Sequence, residues 1–223
     1  MSRYDFVPTV QMDPSIADRL FRYAFGYTDD GHFVEVGAYD GITYSFTRRL
    51  AESGWNGLLI EPEPSNYAAC AALYSPDTTE YRFGQRVIVE NVACSDAERM
   101  LTLYSAGALS TTCPAQVPVL QPNVNVRAVA LETLLGAYRW PERYQLLVVD
   151  TEGSELDVLR GAGLSRYVPQ LIIVELHELM DFPHSDEAEQ ERAKAVAVHD
   201  LLSRAGYKPA YRDAINTAFV LAR

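Results

Sequence analysis

Cationic residues and cysteines are scarce in this chain and long apolar runs are missing, and each shortage removes a class of function. Lys and Arg number 19 against 30 Asp and Glu, a formal net charge of −11. A field of that sign repels phosphate polymers and offers anionic lipid no polybasic segment, so neither nucleic acid nor a membrane surface is the expected partner. Cys70, Cys94 and Cys113 are odd in number and widely spaced, with no CxxC pair and no neighbouring His. They read as buried small hydrophobes rather than a zinc site or a disulfide framework. No stretch approaches the ~18 apolar residues of a membrane span, and the N-terminal segment with Arg3, Asp5 and Asp13 has no apolar leader core. The expectation is a reduced, cytoplasmic protein.

What is present is an ordinary globular composition, 48% apolar and 22% charged over 223 residues, without internal repeats. Residues 1–223 are expected to form a single domain, with residues 1–30 as an N-terminal helical extension. Asp13-Pro14 marks a helix start, and Ile16, Leu20 and Ala24 share its stripe. Apolar patterning then alternates between strand and helix periods. Strands are predicted at Phe33–Val36, Gly57–Ile60, Val87–Ala93, Met100–Tyr104, Val126–Ala130, Leu146–Val149, Leu171–Val174, Tyr207–Tyr211 and Asn216–Leu221. Helices are predicted over 42–53 on the stripe Ile42, Phe46 and Leu50, from Pro64, over Leu131–Tyr138, around Leu156 and Leu159, and on the stripe Ala195, Val198, Leu202 and Ala205. The fold class is α/β: a doubly wound, mostly parallel sheet with an antiparallel C-terminal hairpin. Residues 105–125, carrying Gly107, Pro114, Pro118 and Pro122, make a long loop expected to cover the active site, with hydroxyls at Ser110, Thr111 and Thr112.

Ligands of such sheets sit beyond the carboxyl ends of the strands, and here those ends are acidic. The first strand runs into Glu35-Val36-Gly37-Ala38-Tyr39-Asp40-Gly41, and the second ends at Glu61, twenty residues after Gly41. Gly37 and Gly41 allow a turn close to a ligand, and a carboxylate at Glu61 can accept both hydroxyl protons of a ribose. The spacing is GxxxG rather than GxGxxG, and Asp40 would repel a pyrophosphate, which counts against a dinucleotide. Carboxylates suit a cationic nucleoside instead, and S-adenosylmethionine answers that description.

Four segments in order then carry a family resemblance: FVEVGAYDGITYSFT at 33–47, GWNGLLIEPEP at 54–64, LLVVDTEGSELDVLRG at 146–161 and LIIVELHE at 171–178. In these the chain resembles the FkbM-type S-adenosylmethionine-dependent methyltransferases. The resemblance implies a class I methyltransferase (Rossmann-like) fold and methyl transfer to oxygen on a sugar, glycan or natural product. It places Glu35, Gly37, Asp40, Gly41 and Ser45 at the cofactor loop, Glu61 at the ribose, and Val92, Ala93 and Cys94 beside the adenine. Phe46 departs from the pattern, since relatives often carry Asn between the residues matching Ser45 and Thr47.

Methylation of oxygen requires the hydroxyl to lose its proton, so a base or a cation is expected near the sulfonium. Asp150 and Glu152 share one face if extended, as do Glu175 and His177. His177 is the candidate base, because imidazole accepts protons near neutral pH, with Asp150 and Glu152 completing the catalytic set. Asp150, Glu175 and His177 could alternatively ligate Mg²⁺. Glu155 reads as a helix cap. Tyr39, Tyr44, Trp55, Tyr67, Tyr104 and Trp140 lie outside the obvious core runs. Two other readings stand beside the methyltransferase: an NAD(P)-dependent oxidoreductase, and a non-catalytic cofactor-binding protein of the same fold. The acceptor's identity, the need for metal and the oligomeric state stay open.

Overall fold

A computed structural model describes residues 12–26, 28–75, 87–113, 123–177 and 186–222. The expected strand pairing is present and extended by a second, smaller sheet. The main sheet contains β1 (His32–Val36), β2 (Asn56–Ile60), β3 (Val87–Glu90), β7 (Arg143–Val149), β8 (Val168–Glu175), β9 (Tyr207–Arg212) and β10 (Asn216–Leu221). Its order is β3-β2-β1-β7-β8-β10-β9. All pairs are parallel except those of β10, which runs antiparallel to both β8 and β9. The strand order reverses between β1 and β7, where Val36 pairs with both Ile60 and Val149, so the three strands end level.

Alternation along these strands divides the apolar residues between two layers. Phe33, Leu59, Leu146, Val148, Leu171 and Ile173 face α1 (Pro14–Phe25), α2 (Arg48–Glu52) and α3 (Pro64–Leu73), meeting Phe21, Leu50 and Cys70. Val34, Val36, Leu58, Leu147, Val149 and Ile172 face α4 (Leu131–Ala137), α5 (Glu155–Arg160) and α6 (Asp186–Arg204), meeting Leu135, Val158, Val198 and Leu202. Trp55 and Trp140, outside the core runs in the sequence, are buried in these two layers. Helix starts follow local chemistry: the Asp13 carboxylate accepts the Ser15 N–H, the Glu63 carboxylate accepts those of Ser65 and Asn66, and a proline opens each of the two helices. No described helix is long and apolar enough to cross a membrane.

Two elements differ from the sequence expectation. The predicted strand Val87–Ala93 is divided, with β3 in the main sheet and β4 (Ala93–Ser95) in a second, three-stranded sheet, where it pairs parallel to the strand Asn123–Ala130. There β5 (Arg99–Tyr104) runs antiparallel to β6 (Asn123–Ala130), the antiparallel excursion anticipated for this region. Asn91 sits at the division, and its amide donates to the Glu61 and Pro62 carbonyls at 2.9 and 3.1 Å. The predicted helix 42–53 shrinks to Arg48–Glu52, because residues 42–47 wrap around two carboxylates instead. Asp40 accepts the N–H groups of Ile42 and Thr43, Glu35 accepts the N–H of Phe46, and Tyr44 adopts φ +62°. Ile42, assigned to the buried stripe, is 46% exposed. Of the long loop 105–125, residues 114–122 lie outside the described residues, as do residues 1–11 of the N-terminal extension and 181–185 of the polar stretch before α6.

Candidate active site

A cavity of about 320 Å³ opens at the carboxyl ends of β1, β2, β7 and β8. That is within the size range of small-molecule sites. Its floor is the turn after β1. Gly37 there has φ +89°, and a Cβ at that position would stand 1.6 Å from the Asp150 carbonyl oxygen, so only glycine lets the ends of β1 and β7 meet. Gly41, φ +76°, is spent differently: a Cβ would meet Cys70 Sγ and Tyr74 Cε2 at 2.9 Å, which makes it a packing position for α3, outside the cavity lining.

The carboxylates assigned to the cofactor loop separate into two kinds. Asp40 does not line the cavity; its Oδ1 accepts from Ile42 and Thr43 N–H at 2.8 and 2.7 Å and its Oδ2 from the Thr43 hydroxyl at 2.8 Å. Glu35 lines the wall but is enclosed, accepting from Phe46 N–H at 3.0 Å, Ser45 Oγ at 2.9 Å and Thr47 Oγ1 at 2.6 Å. Burial raises the pKa of its carboxyl, and these three donors oppose the rise. Both residues therefore hold the loop, Asp40 through an Asx-type turn that stands outside the cavity lining. Phe46 gives Glu35 only its N–H and buries its ring, so no polar side chain enters the cavity at that position.

Glu61 is of the second kind. It ends β2, lines the cavity and is 4% exposed, with Oε2 taking the Tyr39 N–H at 2.9 Å and Oε1 the Glu63 N–H at 2.8 Å. With the Asn66 side chain as a third donor, three of the four acceptor sites are used and capacity for one further donor is left. Burial pushes its pKa up to about 7, against the pull of those two N–H groups. Ala93 and Cys94 line the neighbouring wall; Val92 packs into the core instead of the cavity. Burial also pushes the Cys94 thiol up to about 12, so it lines the wall as an un-ionised group.

Opposite, the ends of β7 and β8 bring Asp150, Glu152 and Glu175 together, with one oxygen of each within 4.8 Å of the others. Glu152 reaches this cluster through a positive φ of +53° rather than by strand alternation. His177, also at positive φ, +48°, lies outside the cluster but within 3.2 Å of it, Nε2 to Glu175 Oε1. The triplet expected from sequence as a metal set, Asp150, Glu175 and His177, is thus replaced by three carboxylates with the imidazole on their flank. Burial, then neighbouring negative charge, raises the pKa of both Glu152 and Glu175. The N–H groups of Leu176 and His177 donate to the Ile215 carbonyl at 2.8 and 3.0 Å, so the β10 hairpin holds this end of β8.

Several supporting residues escaped the sequence reading. Glu155 is fully buried and does not cap its helix: Oε1 accepts from Thr151 N–H, Thr151 Oγ1 and Gly153 N–H at 3.1, 3.1 and 2.8 Å. Its Oε2 meets Lys194 Nζ of α6 at 2.8 Å, and Glu191 faces the same ammonium at 2.9 Å. This clamp fixes the loop that carries Glu152. Residues 107–110 and Thr112 line the cavity from the long loop, which is tied down by Thr111 Oγ1 to the Glu152 carbonyl at 2.6 Å and by the Thr112 and Ser154 hydroxyls at 2.7 Å. The acidic residues near Lys194 were visible in sequence, but nothing in their spacing announces a pair separated by 39 residues.

The profile of the Methyltransferase FkbM domain matches residues 35–209, a span that contains every cavity wall described above. No curated protein matches the chain in sequence. Among solved structures, the FkbM methyltransferase from Methylobacillus flagellatus KT superposes with a TM-score of 0.55 at 16% identity, covering 86% of this chain and 44% of that one. The chain therefore spans less than half the length of that relative. An S-adenosylhomocysteine-bound methyltransferase from Podospora anserina superposes with a TM-score of 0.51 at 10% identity, over 95% of this chain and 80% of that one. At these identities the structures speak for the class I methyltransferase fold, and it is the match over residues 35–209 that decides the family: the chain belongs to the FkbM-domain methyltransferases.

Proposed function

We propose that the protein transfers a methyl group from S-adenosylmethionine to a hydroxyl of a sugar, glycan or natural product. The observation that carries this is the cavity beyond the β1, β2, β7 and β8 ends, with a buried carboxylate at the β2 end and a carboxylate–imidazole group at the β7 and β8 ends. The donor set fits the cofactor: besides the enclosed Glu35, four carboxyl groups line a cavity for a ligand with a sulfonium and an ammonium, and no Lys or Arg stands among the lining residues. The same lining disfavours a nicotinamide dinucleotide, whose pyrophosphate needs positive or N–H partners.

In this reading Glu61 accepts the ribose hydroxyls, oriented by the Tyr39 and Glu63 N–H groups that already hold its two oxygens. Ala93 and Cys94 would hold the adenine through backbone groups, and Gly37 to Tyr39 would hold the amino-acid end. S-adenosylmethionine, when bound, supplies a methyl group on a sulfonium that departs as a neutral thioether once an acceptor oxygen bonds to the methyl carbon. His177, whose Nε2 lies 3.2 Å from Glu175 Oε1, takes the hydroxyl proton, and the carboxylate stabilises the imidazolium that forms. Residues 107–110 and Thr112, which line the cavity, limit water at the reacting oxygen.

Calorimetric titration with S-adenosylhomocysteine, with and without Mg²⁺, tests the reading without knowledge of the acceptor. Wild type is expected to bind in both conditions. Glu61→Gln is expected to bind about ten- to a hundredfold more weakly, the loss of ~1.5–3 kcal/mol for hydrogen bonds to a charged acceptor. Absence of binding removes the proposal, and binding that requires Mg²⁺ reassigns the Asp150 cluster to a metal.

A further inference from the structure

Backbone strain in this chain is concentrated at the cavity. Among the described residues five other than glycine adopt a positive φ, and four of them, Tyr39, Tyr44, Glu152 and His177, line it. The fifth, Arg139, is exposed in the turn after α4. For a bulky side chain that conformation carries a steric cost which the surrounding structure must offset, and such residues gather where a ligand is held. Glu152 and His177 have a use in the reading above, and the side chains of the two tyrosines have none. Tyr44 is 43% exposed, whereas Tyr39, at φ +49°, is half-buried. The fold draws on Tyr39 through its backbone, whose N–H donates to Glu61 Oε2 at 2.9 Å. Its side chain forms no hydrogen bond among the described residues and joins none of the apolar clusters of the core. Glycine would supply the same N–H without the cost.

The neighbours of Tyr39 indicate which end of the ligand its ring meets. Glu61, given to the ribose, takes the Tyr39 N–H on one oxygen and also bonds the Asn66 side chain. Asn66 Nδ2 donates in turn to the Gly107 carbonyl at 3.1 Å, and a Cβ at Gly107 would stand 4.0 Å from Tyr39 Oη. Tyr39, Glu61, Asn66 and Gly107 thus close a circuit of contacts, and all but Asn66 line the cavity. The Tyr39 side chain reaches from the turn after β1 to the 107–110 segment, beside the ribose carboxylate. Resting on the methyltransferase reading above, we propose that the Tyr39 ring is a wall of the nucleoside subsite, and that the strained turn is retained for the sake of this ring. The backbone of Gly37 to Tyr39 serves the amino-acid end, and the ring leaves the turn toward the other end. Tyrosine suits the place, because it offers an apolar face to the sugar carbons and a polar tip to the rim.

The test pairs the melting temperature of unliganded protein with calorimetric titration of S-adenosylhomocysteine and of 5′-methylthioadenosine, which keeps the nucleoside and lacks the amino-acid end. Tyr39→Gly is expected to melt no lower than wild type, because the left-handed turn is freed of its Cβ, and to bind both ligands about tenfold or more weakly, by a common factor. Tyr39→Ala, which keeps the stiffer backbone without the ring, should lose affinity equally, and Tyr39→Phe should bind both ligands within about threefold of wild type. Arg139→Gly, with the same relief outside the cavity, should melt no lower and bind unchanged. Ringless variants that bind like wild type overturn the proposal, as does a loss confined to S-adenosylhomocysteine, which hands the ring to the amino-acid end. A Tyr39→Gly protein that melts well below wild type also overturns it, since the ring then holds the fold, and so does a matching loss of affinity in Arg139→Gly. Tyr39→Phe losing as much as Tyr39→Ala assigns the contact to the hydroxyl and overturns the role of the ring. Wild type that binds S-adenosylhomocysteine and not 5′-methylthioadenosine overturns it as well, because a walled nucleoside subsite holds the nucleoside alone. Wild type that binds neither removes the methyltransferase reading itself.

Discussion

Lys194→Met is the sharpest test of how the acceptor loop is held. The Glu155 carboxylate is fully buried, and three of its four partners are neutral donors from residues 151 and 153. Lys194 Nζ, at 2.8 Å, is the cation that compensates it. At an effective dielectric of ~20 a pair at that distance attracts by ~6 kcal/mol, from which the desolvation of both ions must be subtracted. Burial alone would raise the Glu155 carboxyl, but the Lys194 charge and hydrogen bond outweigh it and leave the pKa below its ordinary value. Burial likewise pulls the Lys194 ammonium down, and Glu155 and Glu191 more than restore it. Removing one partner of such a pair costs ~3–5 kcal/mol, because the other charge stays buried. For a chain of this size that is a fall in melting temperature of roughly 6–20 °C. Thermal and urea unfolding of Lys194→Met, Glu155→Gln and the double variant form the assay, and the coupling energy between the two positions is expected to exceed ~2 kcal/mol. The deficit of Lys194→Met should narrow as pH falls, since the uncompensated carboxyl then takes up a proton in the folded state. A loss within ~1 kcal/mol, or additive single effects, would refute the buried-pair argument.

Two further outcomes follow from the cavity floor and its acids. Gly37→Ala should cost at least ~1–3 kcal/mol and abolish S-adenosylhomocysteine binding, because its Cβ would lie 1.6 Å from the Asp150 carbonyl at a φ of +89°; an unaltered melting curve with intact binding would contradict the close approach of β1 and β7. Glu61 keeps its proton in the folded protein to about 7 against a reference of 4.5, so the unfolded chain releases that proton first as pH rises. The Glu61 contribution, on the order of 3 kcal/mol, is therefore complete below ~4.5 and lost between ~4.5 and ~7. Glu152 and Glu175 act in the same direction. Unliganded protein should melt at progressively lower temperature across that interval, with Glu61→Gln showing a flatter profile, and parallel profiles would reject the assignment.

The main sheet was legible because its strands are short, apolar and separated by helices, so each residue run has one plausible period. Phe33 to Val36, Leu146 to Val149 and Leu171 to Val174 fall in β1, β7 and β8 as read. The failures share one cause, which is competition for backbone hydrogen-bonding groups by side chains. The stripe Ile42, Phe46 and Leu50 has helical spacing, yet the Glu35 carboxylate takes the N–H of residue 46 and Tyr44 stands at φ +62°, and a helix cannot run through them. The division of the strand at Asn91 is similar: its amide is engaged by the carbonyls of Glu61 and Pro62, which turns the chain out of the main sheet. Helix periodicity reports side-chain burial and is silent about such local acceptors.

The same competition explains why the acidic strand ends could be found but not ranked. Glu35, Asp40, Glu61, Asp150, Glu152, Glu155 and Glu175 all sit at or just beyond strand termini, and position alone makes them equivalent. What separates them is the local supply of donors. Thr43, three residues after Asp40, gives that carboxylate both an N–H and a hydroxyl, and the hydroxyls of Ser45 and Thr47 flank the N–H of Phe46 to enclose Glu35. Those donors stand in the sequence as D-x-x-T and S-x-T, and reading them as satisfied acceptors would have moved Asp40 and Glu35 from contact to support. Glu155 needed Lys194 from a distant helix, which no local spacing announces. Glu61, with three donors on four acceptor sites, keeps capacity for one more at the cavity wall, and Asp150, Glu152 and Glu175 bring oxygens within 4.8 Å of one another at the opposite wall. Ligand chemistry is expected where acceptor capacity exceeds what the fold supplies, and in this chain the excess faces a single cavity from two walls.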